Sequence, residues 1–156
     1  RNVNLTPIVI SYEYDPLDHV KASGWDYQDS LTTEEINKND IKEMSTGIFG
    51  YKGRVHLHIC KPISDPVDNT HHLAEMIQRE IINNYHIWPS NQAALKLLAD
   101  VNIKKEITDS TLDVHSKISI LEKRSASLKP DERSEFMKTY ARPVINKEKA
   151  RLSSGP

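Results

Sequence analysis

Two short segments with strand character, each closed by a proline, set the strongest limits on the fold of this chain. Residues 6–12 form an almost continuous apolar run rich in Ile and Val, which ends at Asp15-Pro16. Such a run is typical of a strand covered on both faces, as in a mostly parallel α/β sheet. Residues 54–60 instead alternate between apolar and polar positions, and Lys61-Pro62 ends them. We therefore predict two core strands.

One helix lies between the two strands, and another follows the second strand. Thr32-Thr-Glu-Glu35 is a capping-box sequence, and the apolar residues after it recur at helical spacing until Gly47 or Gly50 ends the helix. Asp68 or Asn69 caps the next helix, which carries an apolar ridge. Two parallel strands joined by a helical crossover, with a packing helix after them, indicate an α/β fold.

The last third of the chain is predicted to be helical. Ser90 caps a short helix, and an amphipathic helix follows from about Thr108. Pro130 opens a final helix, which Pro143 ends. Phe136 and Tyr140 face inward from this final helix. The fold class is thus a partial α/β sheet with flanking helices, plus a C-terminal helical hairpin.

Charge divides the chain at about the same point. Residues 1–100 hold nine Lys and Arg against fourteen Asp and Glu, a net charge of −5, whereas residues 101–156 hold twelve against eight, a net charge of +4. We assign residues 1–100 to the α/β part and residues 101–156 to a helical C-terminal extension. A basic helical face could contact an anionic membrane surface, but such a face is more often simply solvated.

Composition indicates the cellular compartment in which we expect the protein. The single cysteine excludes an intramolecular disulfide, which is typical of a reducing compartment. No apolar run approaches the ~20 residues that span a bilayer, and no signal-peptide pattern opens the chain. We expect a cytoplasmic protein, which could also bind peripherally at the inner face of the membrane. The acidic first two thirds argue against nucleic-acid binding, which uses a dense basic stripe.

Four polar residues around the second strand are candidate ligand contacts. His56 and His58 point to the same side of the strand and could bind zinc, with a third ligand from the next helix. The alternative, which we favour, is that they are polar residues on the less buried face of a strand near the sheet edge. Lys52 and Arg54 are candidates for contacts to a phosphate head group, or they are plain surface charges.

The residues themselves show no catalytic set. No Gly-x-Ser-x-Gly nucleophile elbow occurs, and the glycines do not form a phosphate-binding loop. No cofactor is predicted.

An ordered series of motifs nevertheless resembles a known family. Thr6-Pro-Ile-Val-Ile10 is similar to the last sequence block of glycerophospholipid acyltransferases of the lysophosphatidic acid acyltransferase type. Val55-His-Leu-His-Ile-Cys-Lys-Pro-Ile63 resembles the closing strand of the same domain, with Cys60 where the family usually has Gly. A bacterial branch of the family also has counterparts of residues 11–16, 50–56, 84–91 and 140–146, so the resemblance covers nearly the whole chain.

The resemblance implies acyl transfer from acyl-CoA or acyl-carrier protein to a glycerol-phosphate hydroxyl. In this family an HxxxxD motif supplies the base and the carboxylate that orients it. None of the seven histidines here has Asp five positions later. The resemblance therefore implies the C-terminal portion of such an enzyme, cut within its domain and inactive alone. Its partners would be an acyl thioester and a lysophospholipid, with Pro7, Ile8, Val9 and Ile10 lining the substrate cleft and Lys52 and Arg54 binding substrate.

Two other classes of function stay open. The chain could be a stand-alone α/β binding module, with a metal at His56 and His58. Alternatively, residues 108–146 could form a helical interaction module that docks on a membrane or a partner. If the remainder of a domain is missing, the strand at residues 6–12 loses its neighbour and its apolar cover, which predicts self-association through an exposed sheet edge.

Overall fold

A computed structural model describes residues 5–24, 31–64, 69–98 and 112–153. This part of the chain is mostly helical, with one small sheet. None of the helices in these ranges is both long and apolar enough to cross a bilayer. The elements in chain order are β1 (Ile8–Tyr12), α1 (Asp18–Ala22), α2 (Thr33–Phe49), β2 (Val55–Ile59), α3 (Thr70–Asn84), α4 (Pro89–Leu97), α5 (Leu112–Arg124) and α6 (Pro130–Ser153).

The two strands pair in antiparallel orientation, so the prediction of parallel strands is wrong. Tyr12, the last residue of β1, lies opposite Val55, the first residue of β2. Just beyond this pair, Glu13 N donates a hydrogen bond to Arg54 O at 2.9 Å. The connection between the strands therefore leaves and returns at the same end of the sheet. A parallel pair would need the connection to carry the chain back along the strand, which α1 and α2 do not do.

β1 is covered on one face only, although its continuous apolar run predicts cover on both. Val9 and Ser11 are buried, at 3% and 0% exposure, whereas Ile8 and Ile10 are 57% and 51% exposed. The inner face carries Val9 and Ser11, and the chain after α3 packs there, because His86 N donates to Ser11 Oγ at 3.2 Å.

β2 shows the predicted alternation, but its more buried face is the one predicted to be less buried. His56 and His58 are half-buried on the inner face, and Val55, Leu57 and Ile59 are 53–65% exposed. The prediction that the histidines occupy the less buried face is therefore wrong. The physical reason is the packing around them, since the ring of His56 packs against His86, which follows α3, and the ring of His58 stacks on His56.

Local capping signals predict both ends of α2 and the start of α3. Thr32 N donates to Glu35 Oε2 at 2.8 Å and Glu35 N donates to Thr32 Oγ1 at 3.3 Å, which confirms the capping box of α2. The helix ends at Phe49, directly before Gly50, within the predicted range. Asn69 caps α3 through its side-chain oxygen, as predicted.

Two predicted features of the later helices are wrong. Ser90 does not cap α4, because Asn91 Oδ1 accepts from Trp88 N at 2.8 Å instead. Pro143 does not end α6, which continues to Ser153. A proline inside a helix removes one backbone hydrogen bond and crowds the preceding turn.

Packing beyond the proline offsets this cost in α6. Val144 and Ile145 follow Pro143 directly and pack against the core as partly buried side chains. Their burial favours continuation of the helix over the stop that the sequence predicts.

The buried core lies mainly between α4, α5 and α6. Phe136 and Tyr140 face inward as predicted, with 0% and 4% exposure. The same cluster contains Tyr14 and Ala22 from the region around α1, so one core joins early and late parts of the chain. The predicted boundary between residues 100 and 101, and the predicted helix start at Thr108, lie outside the described residues.

Candidate functional site

The residues predicted to line a substrate cleft do not share one surface. Pro7 and Val9 are buried on the inner side of the sheet, and Ile8 and Ile10 point to the opposite side. This split follows from the two-residue period of a strand, which sends successive side chains to opposite faces. Only the two exposed isoleucines can contact another molecule without rearrangement.

The exposed isoleucines belong to a continuous apolar surface. In the antiparallel register, Ile8 lies opposite Ile59 and Ile10 opposite Leu57. Val55 extends the same face at the other end of β2. The five side chains are each 51–65% exposed. We call this surface the outer apolar face: Ile8, Ile10, Val55, Leu57 and Ile59.

Lys52 is engaged by the end of α2 rather than presented to a phosphate. Its Nζ donates to Ile48 O at 2.9 Å and to Gly50 O at 3.1 Å. The last carbonyl groups of a helix lack backbone partners and carry partial negative charge, so the ammonium group stabilises this helix end.

Arg54 is likewise engaged within the protein. Its Nε donates to Glu13 Oε2 at 3.0 Å and its Nη2 donates to Glu13 Oε1 at 3.1 Å, an arrangement that satisfies both carboxylate oxygens. Nη2 also contacts Asp113 Oδ2 at 3.2 Å, and the guanidinium lies 5.1 Å from the ring centroid of Trp88. The side chain is still 53% exposed, but its Nε and Nη2 groups are engaged by Glu13 and Asp113.

Glu13 is the centre of a buried ionic network that the motif analysis missed. Its side chain is 4% exposed and also pairs with Lys117 Nζ at 2.8 Å. Burial raises the pKa of the carboxyl group, but hydrogen bonds from Arg54 and Lys117 outweigh it and lower the pKa to about 2. The signal available in the sequence was an acidic residue directly after a core strand, where an unpaired charge is costly.

A second buried network lies at the start of α1. Asp18, with a 2% exposed side chain, accepts from Tyr140 Oη at 2.8 Å and from Arg124 Nε at 3.0 Å. Tyr140 Oη in turn accepts from Asp15 N at 3.0 Å. Burial, followed by the nearby Asp18 carboxylate, raises the pKa of the Tyr140 hydroxyl well above its usual value. The Glu13 network ties the chain after β1 to α5, and the Asp18 network ties it to both α5 and α6.

The predicted histidine pair joins a third ring. His56 and His58 stack with centroids 6.5 Å apart, and His86 lies 4.9 Å from His56. His86 also packs edge-on against Trp88 at 4.2 Å. His86 could not be predicted as a neighbour of His56 because it comes from the chain after α3, far from β2 along the sequence.

This imidazole cluster does not have the arrangement of a metal centre among the described residues. Within the described ranges, no three or more His, Cys, Asp and Glu side chains are grouped so that they could hold a metal ion. The third ligand that a zinc site at His56 and His58 requires is therefore not supplied by the described part of α3. Buried Cys60, directly after β2, accepts a long contact from Asn84 Nδ2 at 3.8 Å.

Comparison with known proteins identifies no family for this chain. No family model matches the chain, and no curated protein or solved structure is significantly similar to it.

Proposed function

We propose that the chain is the non-catalytic C-terminal portion of a glycerophospholipid acyltransferase-like domain. In this proposal the outer apolar face packs against the portion of the domain that carries the HxxxxD motif. The completed domain would transfer an acyl group from acyl-CoA or acyl-carrier protein to a lysophospholipid hydroxyl. The ordered motif series supports the family, and the outer apolar face supports the role of a packing partner.

The exposure of the outer apolar face is the observation that carries the proposal. An antiparallel sheet can leave one face in water, but that face is then normally polar. Here Ile8, Ile10, Val55, Leu57 and Ile59 are all at least half exposed. Burying five half-exposed aliphatic side chains contributes about 4–6 kcal/mol to association. A helix or sheet layer is the usual cover for such a face in a two-layer domain.

The ionic networks support a scaffolding role for the rest of the chain. Glu13 and Asp18 are the buried carboxylates nearest the predicted cleft strand, and both are saturated by Arg, Lys or Tyr donors. A general base needs a free acceptor within reach of the substrate proton. Glu13 and Asp18 instead hold the chain after β1 against the helical core, and neither has a free acceptor for a substrate proton.

Reconstitution tests the proposal directly. The upstream sequence of the same reading frame is expected to encode HxxxxD, and the chain alone is expected to release no thiol from acyl-CoA with lysophosphatidate as acceptor. Adding the separately produced upstream portion should restore turnover. Turnover by the isolated chain above background, or an upstream sequence without HxxxxD, would overturn the proposal.

A matched pair of variants tests whether the catalytic portion packs on the outer apolar face. Leu57→Lys places a charge in the outer apolar face, and we expect it to weaken reconstitution at least tenfold. Ile41→Lys makes the same type of change on α2, where Ile41 is 68% exposed, and we expect it to leave reconstitution unchanged. Equal effects of the two variants would contradict packing through the outer apolar face.

A further inference from the structure

A cavity of about 200 Å³ lies between α3 and α6. Ile81, Ile82 and Tyr85 line it from the side of α3, and Pro143 lines it from α6. These side chains make most of the wall apolar. The volume lies below the range of about 300–1,000 Å³ that is typical of sites for drug-sized ligands, so the cavity suits a smaller molecule.

The proline inside α6 leaves a backbone acceptor at the wall of this cavity. In a continuous helix the N–H of residue 143 would donate to Thr139 O, but proline has no N–H. The carbonyl group of Thr139 points along the helix toward Pro143, and both residues line the cavity. A ligand N–H group placed there can supply the hydrogen bond that Pro143 does not.

The charged part of the wall is positive. Arg142 lines the cavity and forms no ion pair with any described residue, in contrast to Arg151, which pairs with Glu148 at 2.7 Å further along α6. Among the described residues, no carboxylate lines the cavity. The side-chain amide of Asn146, one turn after Arg142, also lines it and has no hydrogen-bond partner in the described ranges. A guanidinium group with open donors is complementary to a carboxylate.

Tyr85 brings a hydroxyl group to the same cavity. Its side chain is half-buried at the end of α3. Burial, followed by the nearby Tyr12 and Asp15, raises the pKa of Tyr85 to about 12. The hydroxyl group therefore keeps its proton at neutral pH and can donate a hydrogen bond to a ligand.

We propose that this cavity binds a free α-amino acid with an aliphatic side chain of about the size of leucine. The carboxylate pairs with Arg142 and Asn146, and the ammonium group donates to Thr139 O. The side chain packs against Ile81 and Pro143. A fatty acid lacks the ammonium group and a simple amine lacks the carboxylate, so an amino acid is the small molecule that matches both polar groups of the α6 wall.

NMR titration of the full chain with amino acids tests this site. The amide chemical shifts of α3 and α6 around the cavity should move saturably with L-leucine. In the series glycine, alanine, valine and leucine, each added carbon should tighten binding about fourfold. Leucinamide, which lacks the carboxylate, and 4-methylpentanoate, which lacks the ammonium group, should each bind about tenfold more weakly than leucine.

Two variants with matched controls locate the ligand. Arg142→Gln should weaken leucine binding about tenfold, whereas Arg79→Gln removes the same charge from an exposed position of α3 outside the cavity and should have no effect. Ile81→Trp should weaken binding at least tenfold by filling the cavity. Ile81 is 43% exposed, so the larger ring does not disturb the buried core. Ile41→Trp, on α2, is its control and should bind like the parent chain.

Four results would overturn the site. These are the absence of saturable shifts at millimolar leucine, equal affinities for leucine and 4-methylpentanoate, an affinity independent of side-chain size, and equal losses in Arg142→Gln and Arg79→Gln. The site does not rest on the proposed function, because none of the lining residues belongs to the outer apolar face. Leu57→Lys should therefore weaken reconstitution and leave leucine binding unchanged, so that the two proposals can fail separately.

Discussion

Glu13 and Arg54 form a two-point ion pair directly beyond the last paired residues of the sheet, with Nε–Oε2 and Nη2–Oε1 distances of 3.0 and 3.1 Å. The same two residues also share a backbone hydrogen bond, from Glu13 N to Arg54 O at 2.9 Å. The pair therefore fixes the end of the sheet through both main chain and side chain. Lys117 from α5 joins it at 2.8 Å and connects the sheet to the helical core.

Replacing the carboxylate should destabilise the fold. Glu13→Gln keeps the size of the side chain but removes the charge that Arg54 and Lys117 share. Removing one partner from a buried pair costs about 3–5 kcal/mol, and we expect about 2 kcal/mol here because Arg54 is half exposed to solvent. Urea unfolding followed by circular dichroism measures the difference.

The surface pair between Glu34 and Lys38 provides the control for this experiment. Its side chains are 79% and 71% exposed, so Glu34→Gln should change the free energy of unfolding by less than about 0.5 kcal/mol. A Glu13→Gln effect no larger than that of Glu34→Gln would show that the buried network contributes nothing to stability.

Acid should weaken the fold through the same carboxylate. The pKa of Glu13 is lowered from 4.5 to about 2 in the folded chain, so the unfolded state takes up a proton first as the pH falls. The stabilisation is complete above pH 4.5 and is lost as the pH falls from 4.5 towards 2. Urea midpoints measured across this range should fall more steeply for the parent chain than for Glu13→Gln. Parallel curves would contradict the assignment.

Local features of the fold could be predicted from the sequence because their partners lie within one helical turn. The capping box of Thr32 and Glu35, the Asn69 cap and the proline start of α6 all depend on residues three or four positions apart. Alternation in β2 was also readable, because the strand period is a local property. These features are those the structure confirms.

Features that depend on distant partners could not be predicted. The orientation of β1 and β2 depends on where the connection returns, and a helical pattern between them is compatible with either orientation. The buried side of β2 depends on His86 and the chain around it, which no local pattern identifies. The surroundings of Arg54 could not be predicted for the same reason, because Arg54 donates to Glu13, which lies far away in the sequence, and Glu13 in turn pairs with Lys117 of α5.

The hydroxyl group of Tyr140 should contribute measurably to stability. It donates to buried Asp18 at 2.8 Å and accepts from Asp15 N at 3.0 Å, so Tyr140→Phe leaves both groups without this partner. We expect a loss of about 1–2 kcal/mol in the free energy of unfolding. Tyr51→Phe removes a hydroxyl from a 72% exposed side chain and should have little effect. Equal losses in both variants would contradict a specific role for the Tyr140 hydroxyl.

The imidazole cluster should add a separate pH dependence near neutrality. Burial lowers the pKa of His86, and the nearby His56, Arg54 and Lys147 lower it further. The unfolded state therefore binds the proton first as the pH falls through about 6.5, and the folded chain loses stability from that point downward. This window lies well above the range in which Glu13 titrates.

The cluster prediction is checked by urea midpoints between pH 7.5 and 5.5. His86→Gln should flatten the decrease, whereas His71→Gln, on the exposed start of α3 with an 83% exposed side chain, should leave it unchanged. A decrease that persists in full in His86→Gln would rule out His86 as its source.

The isolated chain should self-associate weakly through the outer apolar face. Self-association buries this face on both partners and gains about 8–12 kcal/mol, but it must offset about 4 kcal/mol or more of lost translational and rotational freedom. The remaining gain of at most about 4–8 kcal/mol corresponds to a dissociation constant between about 1 mM and 1 μM, which sedimentation velocity over a range of concentrations measures. Leu57→Lys should shift the chain to monomer, and Ile41→Lys should not. A chain that stays monomeric at every concentration and melts cooperatively would mean that these aliphatic side chains tolerate water, and the proposed packing against a catalytic portion would lose its main support.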